Sequence, residues 1–460
     1  MGPISSPGIG SGLDVQSIVS QLVALEKAPL TQLKAQATSL QTKVSTYGTI
    51  KSQVSALRDA AAKLASTTGW NQVNAASSNP SAVGVTAAAG SATTSLSLEV
   101  QQLAKAQSAV SPNPPFGLTS SLGAGTLTIQ VGTGAPVEVV IEAGEDSLAA
   151  VARQINEANA GVSATVLRDA SGERLLMRSS ASGEANTFTV GVAGGNAGGL
   201  ERLAFGPGVT GGMSETQAAQ NALATINGVD IVSASNTLDN TVPGLTIALK
   251  QETTAPVDIE VSADTEAVKA NLQAFVDAYN TLNANLANVT RYDAGSKTAG
   301  PLQGDASATG LQNALRGMLR SVTASTPFSR LADVGIELQA GGTLSINSEK
   351  RDTALSDLRG LRALFDVDTG DATTEGFGRK AKAFADGLLA AEGLITTRTE
   401  ALQASIRRNG LDQERVNDRA ARAEVRYLAQ YNAMDANVAR LNGLNAFVSQ
   451  QIALWNKSSG

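Results

Sequence analysis

Residues 8–29 read GIGSGLDVQSIVSQLVALEKAP, a stretch in which glycines lead directly into an amphipathic run. Its apolar residues recur at the three- and four-residue spacing of one helical face, and these are Val15, Ile18, Val19, Leu22 and Val23. A phosphate-binding glycine loop is not indicated, because such a loop follows a strand and, in its P-loop form, carries a Lys-Ser/Thr pair. Ser11 and Asp14 instead have the spacing of a capping box, so the pattern predicts an amphipathic helix over residues 13–28.

Pro29 predicts a break after this helix, since proline disfavours helical geometry at the residue before it. Beyond Pro29, apolar residues recur every seven residues as far as Leu64, which predicts a long helix with a coiled-coil seam. A helix of residues 13–28 is too short to be stable alone in water, so its apolar face requires another helix or another subunit. We therefore interpret Pro29 as a hinge between a short docking helix and a long leg helix.

The C-terminal end carries a second seven-residue pattern. Its two seam positions are occupied by Tyr427, Met434, Leu441, Val448 and Trp455 and by Tyr431, Val438, Asn445 and Ile452. The pattern predicts a helix over 411–456, which pairs with the N-terminal leg helix. Asn445 is polar, and a buried asparagine on such a seam sets register or copy number.

Arg408, Arg415 and Arg422 also lie seven apart, and we interpret them as a solvated coiled-coil flank in preference to a nucleic-acid stripe.

Between these ends the pattern changes from helical to extended. Short alternating runs such as GTLTIQVG, PVEVVIEA and LTIALK are separated by Gly, Pro, Asn and Asp, with one helix predicted over 147–157. The Gly-rich segment 192–213 is interpreted as a mobile surface loop. After residue 264 the helical pattern returns, with Asp305 as a helix cap and VGIELQAGGTLSIN as a hairpin. The predicted fold class is α+β and multidomain, with helical coiled-coil legs from both termini and inserted β-rich head domains.

The domain boundaries follow from these changes of pattern. The predicted parts are 1–42 paired with 411–460 (leg helices, or foot), 43–75 with 263–410 (helical leg domain), 76–114 with 217–262 (inner β head domain) and 115–216 (outer β head domain). A head inserted in this way makes the leg and the inner head discontinuous in sequence, and it brings both termini to the foot.

Composition excludes several kinds of chemistry. The chain has no Cys and no His, which removes disulfides, thiolate and imidazole metal ligands, and the Ser-His-Asp triad. The sequence indicates no carboxylate pair for glycoside chemistry, so we expect no catalytic residues, no cofactor and no metal.

Residues 75–262 hold 7 Lys/Arg against 16 Asp/Glu, which argues against a nucleic-acid partner. No apolar run approaches the roughly 20 residues of a membrane span, and the N-terminus lacks a Sec signal, so we expect no membrane insertion.

Four segments carry recognisable motifs, and they follow one another along nearly the full chain. They are GIGSGLDV with LVALEKAPLTQL, TINGVDIVSASNTLDNTVPGLTIALK, PLQGD with LADVGIELQAGGTLSIN, and YLAQYNAMDANVARLN. Together they closely resemble the N-terminal signature, the head-to-leg segment, the C-terminal leg and the terminal coiled coil of the flagellar filament cap family, also called flagellar hook-associated protein 2. Residues 125–190 are similar to the β-β-α-β insert of several flagellar axial proteins. Residues 192–213 match no signature of the family.

The resemblance implies a structural assembly protein, not an enzyme, that caps the tip of the bacterial flagellar filament. It implies that the protein promotes flagellin folding and insertion and prevents leakage of monomers. The implied partners are further copies of the chain in a pentamer-like ring, flagellin, hook-filament junction proteins, and an export chaperone at the C-terminal helix. The implied location is extracellular, at the flagellum tip, reached through the flagellar secretion system. Two alternatives stay open: another axial protein, such as a junction protein or flagellin, and a glycoside-type enzyme or adhesin.

For docking on the filament end we select apolar residues of the two terminal seams. They are Leu22, Val23, Leu441, Val448, Ile452 and Trp455. The same residues suit an intramolecular coiled-coil core equally well, and the sequence leaves both roles open. Pro29 is the candidate hinge, and Asn445 is the candidate for setting the oligomer register.

Overall fold

The structure is a computed structural model that describes residues 14–113, 115–117, 120–195 and 199–458. The chain divides into two compact units. Residues 1–70 and 269–460 form one, called here the helical unit, and residues 71–268 form the other, called the β unit. The predicted fold class, α+β with helices from both termini and an inserted β-rich region, is confirmed.

Most α-helices of the described residues lie in the helical unit, which contains only a few short strands. In chain order the α-helices are α1 (Val15–Glu26), α2 (Pro29–Leu64), α3 (Leu148–Glu157), α4 (Thr265–Thr290), α5 (Ala306–Leu319), α6 (Ser348–Leu355), α7 (Leu358–Asp366), α8 (Phe377–Leu389) and α9 (Leu394–Ser458). None of these described helices is long and apolar enough to cross a membrane.

The start of α1 and the break after it have local causes. Asp14 is the N-cap of α1, and its carboxylate accepts a hydrogen bond from the Ser17 N–H at 3.0 Å. The predicted capping box placed Asp14 at the third helical position, which is wrong because Asp14 is itself the N-cap; Ser11 lies outside the described residues. Lys27 and Ala28 separate α1 from α2, and Pro29 occupies the first turn of α2, where its missing N–H costs nothing. The predicted break is therefore present at Pro29.

The core of the helical unit is built on α2. Its buried residues beyond the first turn are spaced by three and four, and they are Tyr47, Ile50, Val54, Leu57, Ala61 and Leu64. Past the end of α2, Trp70 donates from its indole N–H to the Leu64 carbonyl oxygen at 2.8 Å. The Trp70 ring lies 5.8 Å from Phe365, which lies 6.3 Å from Phe275. This aromatic group joins α2, α4 and α7.

Most strands of the described residues lie in the β unit. In chain order they are β1 (Val73–Ser77), β2 (Val83–Ala87), β3 (Thr94–Gln102), β4 (Ser108–Val110), β5 (Gly125–Val131), β6 (Val137–Ile141), β7 (Val162–Asp169), β8 (Gly172–Ser179), β9 (Phe188–Gly194), β10 (Ser214–Gln217), β11 (Ala222–Ile226), β12 (Val229–Ser233), β13 (Thr237–Asp239), β14 (Leu245–Leu249), β15 (Val257–Ala263), β16 (Tyr292–Asp293), β17 (Thr298–Ala299), β18 (Ile336–Leu338) and β19 (Leu344–Ile346). The hairpin predicted from VGIELQAGGTLSIN is the antiparallel pair β18–β19 in the helical unit.

The β unit contains two hydrophobic cores. One lies between the sheet of order β1-β15-β3-β11-β12 and the sheet of order β13-β14-β2. Its hairpin β11–β12 turns at Asn227 and Gly228, both with positive φ, as a two-residue turn requires. Strand β1 starts at Val73, within the segment 43–75 that the sequence assigned to the leg domain.

The second core combines α3 with the sheets of order β6-β5-β9 and β10-β4-β8-β7. Ser147 caps α3 by accepting from the Ala150 N–H at 3.2 Å, as the predicted helix over 147–157 requires. In chain order β5, β6, α3 and β7 form the β-β-α-β pattern expected within residues 125–190, and β8 follows them.

The interpretation of segment 192–213 as a mobile surface loop is wrong for residues 192–194, which end β9, and for 199–205, which pack into the second core, whereas residues 207–211 are an exposed loop. Leu200 and Leu203 are fully buried in the second core, and Met213 is 7% exposed. Phe205 bridges to Val190 of β9 and stacks 5.2 Å from Phe188. The sequence interpretation gave weight to the glycines and overlooked the apolar residues between them, whose packing into the second core holds the segment in place.

Candidate docking site on the terminal helices

The N-terminal helix α1 packs against α9. Val15, Val19 and Val23 form one apolar cluster with Ala420 of α9, and each of the three valines is at most 7% exposed. The half-buried residues of α9 that pack against this cluster are Tyr427, Leu428 and Tyr431. This is the pairing that the short helix required, because four turns alone would be marginal in water.

Polar contacts close the edge of this cluster. Glu26, the last residue of α1, forms a salt bridge with the Arg419 guanidinium at 3.2 Å. The Tyr427 hydroxyl lies 3.5 Å from the same carboxylate. Nearer the start of α9, the buried Asn409 donates a hydrogen bond to the Leu33 carbonyl oxygen of α2 at 3.0 Å. The two terminal segments are thus held together over about the first half of α9.

Beyond Tyr431 the apolar face of α9 is exposed. The exposed large apolar residues of this part are Met434 (38%), Leu441 (62%), Leu444 (61%), Phe447 (59%), Val448 (45%), Ile452 (53%), Leu454 (61%) and Trp455 (77%). They continue the stripe that packs on α1, since Met434, Leu441 and Val448 follow Tyr427 at seven-residue steps. A single copy therefore presents an apolar face about 30 Å long at 1.5 Å per residue. We call residues 434–455 of α9 the distal segment.

The six residues selected for docking fall into two groups. Val23 lies inside the α1–α9 cluster, and Leu22 beside it is half-buried. The other four, Leu441, Val448, Ile452 and Trp455, are exposed on the distal segment.

The candidate hinge and register residues also have defined places. Pro29 is exposed at the first position of α2, after Lys27 and Ala28. Ala28 keeps helical torsion angles, so the interruption between α1 and α2 departs little from helical geometry, and the prediction that Ala28 leaves helical geometry before Pro29 is wrong. Asn445 is exposed on the distal segment.

A buried polar cluster anchors the leg helices to each other. The Tyr47 hydroxyl of α2 donates to Asp305 Oδ1 at 2.9 Å, and the Arg398 guanidinium of α9 donates to Asp305 Oδ2 at 2.7 Å. The Asp305 carboxylate also caps α5 by accepting from the N–H groups of Ser307 and Ala308. The Asp305 side chain is 2% exposed, so one buried carboxylate joins three helices, while the Arg398 side chain is 35% exposed. We call these residues the Asp305 cluster.

The electrostatics of the cluster favour the ionised carboxylate. Burial by itself raises the pKa of Asp305, but hydrogen bonds from Arg398, Tyr47 and the Ala308 N–H outweigh it, and the net pKa is lowered. Burial, followed by the hydrogen bond to Asp305, raises the pKa of Tyr47 above its usual range. Tyr47 is therefore a neutral donor and Asp305 an anion at neutral pH.

The sequence reading missed this cluster, although it found parts of it. Asp305 was recognised as a helix cap, and Tyr47 lies on the predicted seam of α2. Arg398 carried no signal, because the contact joins residues 93 positions apart in the chain. A polar hydroxyl at a seam position of α2 is the feature that could have indicated a buried partner.

Among the described residues, no group of three or more Asp or Glu residues is placed to hold a metal ion. The terminal helices carry the exposed apolar face of the distal segment, and Arg398 of α9 is ion-paired with the buried carboxylate of Asp305.

Family profiles match most of the chain. The profile of the flagellar hook-associated protein 2 N-terminus matches residues 11–107, and that of the C-terminus of the same family matches residues 219–443. Residues 126–181 match the flagellin hook IN motif. Apart from Gly125, the β-β-α-β region from β5 to β7 lies within this last match.

Individual relatives match from end to end. Flagellar hook-associated protein 2 of Escherichia coli K12 is 30% identical over 98% of both chains, and that of Salmonella typhimurium is 28% identical over 100% of both. A crystal structure of the flagellar cap protein FliD D1-D2-D3 domains from Escherichia coli superposes with a TM-score of 0.65 at 28% identity, over 78% of this chain and 99% of that one. These relatives do not favour a junction protein or flagellin. The chain belongs to the flagellar hook-associated protein 2 family.

Proposed function

We propose that this protein caps the tip of the bacterial flagellar filament as a ring of identical subunits outside the cell. In this role it promotes the folding and insertion of flagellin and prevents monomers from leaking away. It acts as a structural assembly protein, without catalytic residues, cofactor or metal. Family membership supports the cap role, and the observation that carries the mechanism is the exposed apolar face of the distal segment.

An exposed apolar face of this length marks an interaction site. Soluble monomers rarely leave such a contiguous patch in water, and burial contributes about 25 cal/mol for each Å² covered. Leu441, Val448 and Ile452 are each about half exposed or more, so covering them stabilises the assembled state. We assign this docking role to the distal segment, together with Trp455 at its end. Leu22 and Val23 support it by holding α1 on α9.

Movement of the foot follows from the mismatch between a closed ring and a helical filament. Subunits of a symmetric ring cannot all make the same contact with a helical end, so each foot must rebind in turn. The separation of α1 from α2 at Lys27 and Ala28 supports Pro29 as the hinge. Asn445 sets the register once the distal segment is covered, because a polar residue on a buried seam favours one alignment.

The partners follow from the same surface. Flagellin and the hook-filament junction proteins meet the distal segment at the filament end, and an export chaperone covers it before secretion by the flagellar export system. The ring is a homo-oligomer of pentamer-like size. Nucleic acid and membrane insertion have no part in this function.

We also propose that the four predicted domains act as separate parts: the foot (1–42 with 411–460), the leg (43–75 with 263–410), the inner head (76–114 with 217–262) and the outer head (115–216). The separate apolar cores of the β unit support the division of the head.

The test is complementation of a strain that lacks its own cap protein. The double variant Val448→Glu/Ile452→Glu places two charges on the apolar face of the distal segment. The matched control Ala446→Glu/Gln450→Glu places the same two charges, at the same spacing, about 160° around the same helix. All four positions are exposed, so neither variant disturbs the core.

We expect the native chain and the control to restore long filaments. The Val448→Glu/Ile452→Glu variant should leave short filaments and flagellin monomers in the medium. Full complementation by this variant would contradict docking through the distal segment, and failure of the native chain in its own cap-deleted strain would contradict the cap role itself.

A further inference from the structure

Arginines form a stripe along one side of α9. They are Arg408, Arg415, Arg419, Arg422 and Arg426, and all five are exposed. At 3.6 residues per turn their positions fall within about 60° of one another, over a length of about 27 Å. This stripe lies at the flank of the face that packs on α1, and docking through the distal segment does not use it.

The stripe keeps an excess of positive charge. Arg415 pairs with Asp412 at 2.9 Å and Arg419 pairs with Glu26, both at exposed sites where such pairs contribute little. Arg408 and Arg422 pair with no carboxylate of the described residues, and Arg426 lies 5.1 Å over the Tyr427 ring. Three of the five charges are thus available to a partner.

The neighbouring helix adds charge of the same sign. Residues 27–58, which include most of α2, hold five basic residues and no acidic one, in a chain whose net charge is −6. The basic residues are Lys27, Lys34, Lys43, Lys51 and Arg58. Two copies of these helices side by side would repel each other, so the same region of a second copy is a poor occupant for the stripe.

An apolar edge runs beside the arginines. Leu411 is 54% exposed and Val425 is 70% exposed, and they lie two heptads apart with Asp418 midway between them. Apolar residues at this spacing, flanked by charges, have the layout of a coiled-coil seam. The carboxylate of Asp418 fixes the alignment of whatever packs there, because it requires a basic or polar residue opposite.

We propose that this face of α9 binds an acidic amphipathic helix of another protein. The partner helix carries carboxylates at seven-residue spacing along the arginines, apolar residues over Leu411 and Val425, and a basic residue opposite Asp418. The β unit of a second copy does not fit this description, since α3 is the only described α-helix wholly within it and has 10 residues, about 15 Å.

A nucleic acid fits less well than an acidic helix. Asp412 and Asp418 flank the arginines on either side of the stripe, and their carboxylates would repel a phosphate backbone. The exposed Leu411 and Val425 have no role against a duplex backbone. Short charged helices instead select partners by this combination of seam and flanking charge.

The test uses the purified full-length chain and a labelled helical peptide of 22 residues. The peptide carries Glu at the seven-residue positions opposite the arginines, two Leu residues 14 positions apart, and Lys midway between them. A second peptide has Lys in place of each Glu. Fluorescence anisotropy should show binding of the acidic peptide, weakened by added salt, and no comparable binding of the Lys peptide.

Variants locate the binding face. The triple variant Arg408→Glu/Arg415→Glu/Arg422→Glu should weaken binding of the acidic peptide by roughly tenfold or more, since three attractive contacts become repulsive. The control Arg291→Glu/Arg320→Glu/Arg359→Glu makes the same change of net charge at exposed positions away from α9. Circular dichroism should give the native helix content for both.

Three results would overturn the proposal. They are equal binding of the acidic and Lys peptides, equal affinity of the two triple variants, and displacement of the acidic peptide by a 22-base-pair DNA duplex at comparable affinity. The last result would assign the stripe to nucleic acid. The measurement uses purified chain and peptide, so it stands apart from the complementation that tests the cap role.

Discussion

Removing one hydroxyl from the Asp305 cluster should measurably loosen the helical unit. In Tyr47→Phe the ring stays in place, and only the donor to Asp305 Oδ1 is lost. Tyr47 is fully buried and the Asp305 side chain is 2% exposed, so water cannot replace the lost hydrogen bond. Because the phenyl ring fills the same space, no large cavity adds to the effect.

The magnitude follows from the partners that remain. Hydrogen bonds to charged groups contribute about 1.5–3 kcal/mol, and removing one partner leaves the other desolvated. Asp305 keeps the Arg398 guanidinium at 2.7 Å and the N–H groups at the start of α5. We therefore expect Tyr47→Phe to lower the free energy of unfolding of the helical unit by about 2 kcal/mol, in the lower part of that range.

Tryptophan fluorescence can report on the helical unit alone. The chain has two tryptophans, of which Trp70 is 6% exposed in the helical core and Trp455 is 77% exposed. In a Trp455→Phe background, urea unfolding followed by fluorescence reports the surroundings of Trp70. Tyr292→Phe removes a hydroxyl from a residue that is 55% exposed and serves as the matched control, with a change expected within about 0.5 kcal/mol.

The effect should depend on pH in a defined direction. The pKa of Asp305 is lower in the folded than in the unfolded chain, so the cluster stabilises the fold above the ordinary carboxyl pKa of about 3.9. That stabilisation is lost as the pH falls through the folded-state pKa of Asp305. The difference in free energy of unfolding between Tyr47→Phe and the native chain should therefore become smaller at such a pH. The role of the charged cluster would be refuted if Tyr47→Phe lost no more free energy of unfolding than Tyr292→Phe. It would also be refuted if the loss in Tyr47→Phe stayed constant into strong acid.

Three further changes test other parts of the account. Val19→Asp buries a carboxylate in the α1–α9 cluster and should remove the hydrogen-exchange protection of α1, a cost of about 2–3 kcal/mol; unchanged protection would contradict the packing. Asn445→Leu should strengthen association and broaden the oligomers seen by native mass spectrometry, whereas one unchanged oligomer of unchanged stability would show that Asn445 has no register role. Pro29→Ala should favour a continuous helix through α1 and α2, in whose interior proline would cost about 3 kcal/mol, and should shorten filaments in cells; full-length filaments would count against the hinge.

Local signals predicted local structure well. Asp305 caps the apolar helix that follows it, as its sequence context indicated, and the helix predicted over 147–157 is α3, because capping and helical periodicity depend on residues only a few positions apart. At Pro29 the predicted reason is wrong, because Ala28 keeps helical torsion angles although α1 and α2 are separate helices. The family motifs extended this reading to the order of helical and β segments along the chain.

Contacts between distant segments could not be read in the same way. Tyr47 and Asp305 lie 258 positions apart, and neither residue alone indicates the other. The seven-residue pattern of α9 shows which face is apolar, but it does not show what covers that face. Tyr427 lies against α1, whereas Leu441 lies exposed on the same stripe. Periodicity is a property of one helix, while coverage depends on the position of another chain segment or another molecule.

The central claim is tested most directly by locating the protein on intact flagella. Antibodies raised against the full-length chain, detected with gold particles by electron microscopy, should label one position per filament, at the distal tip. Filaments of a strain deleted for this gene should carry no label. Gold distributed along the filament, as for flagellin, or confined to the junction between hook and filament would contradict the cap assignment.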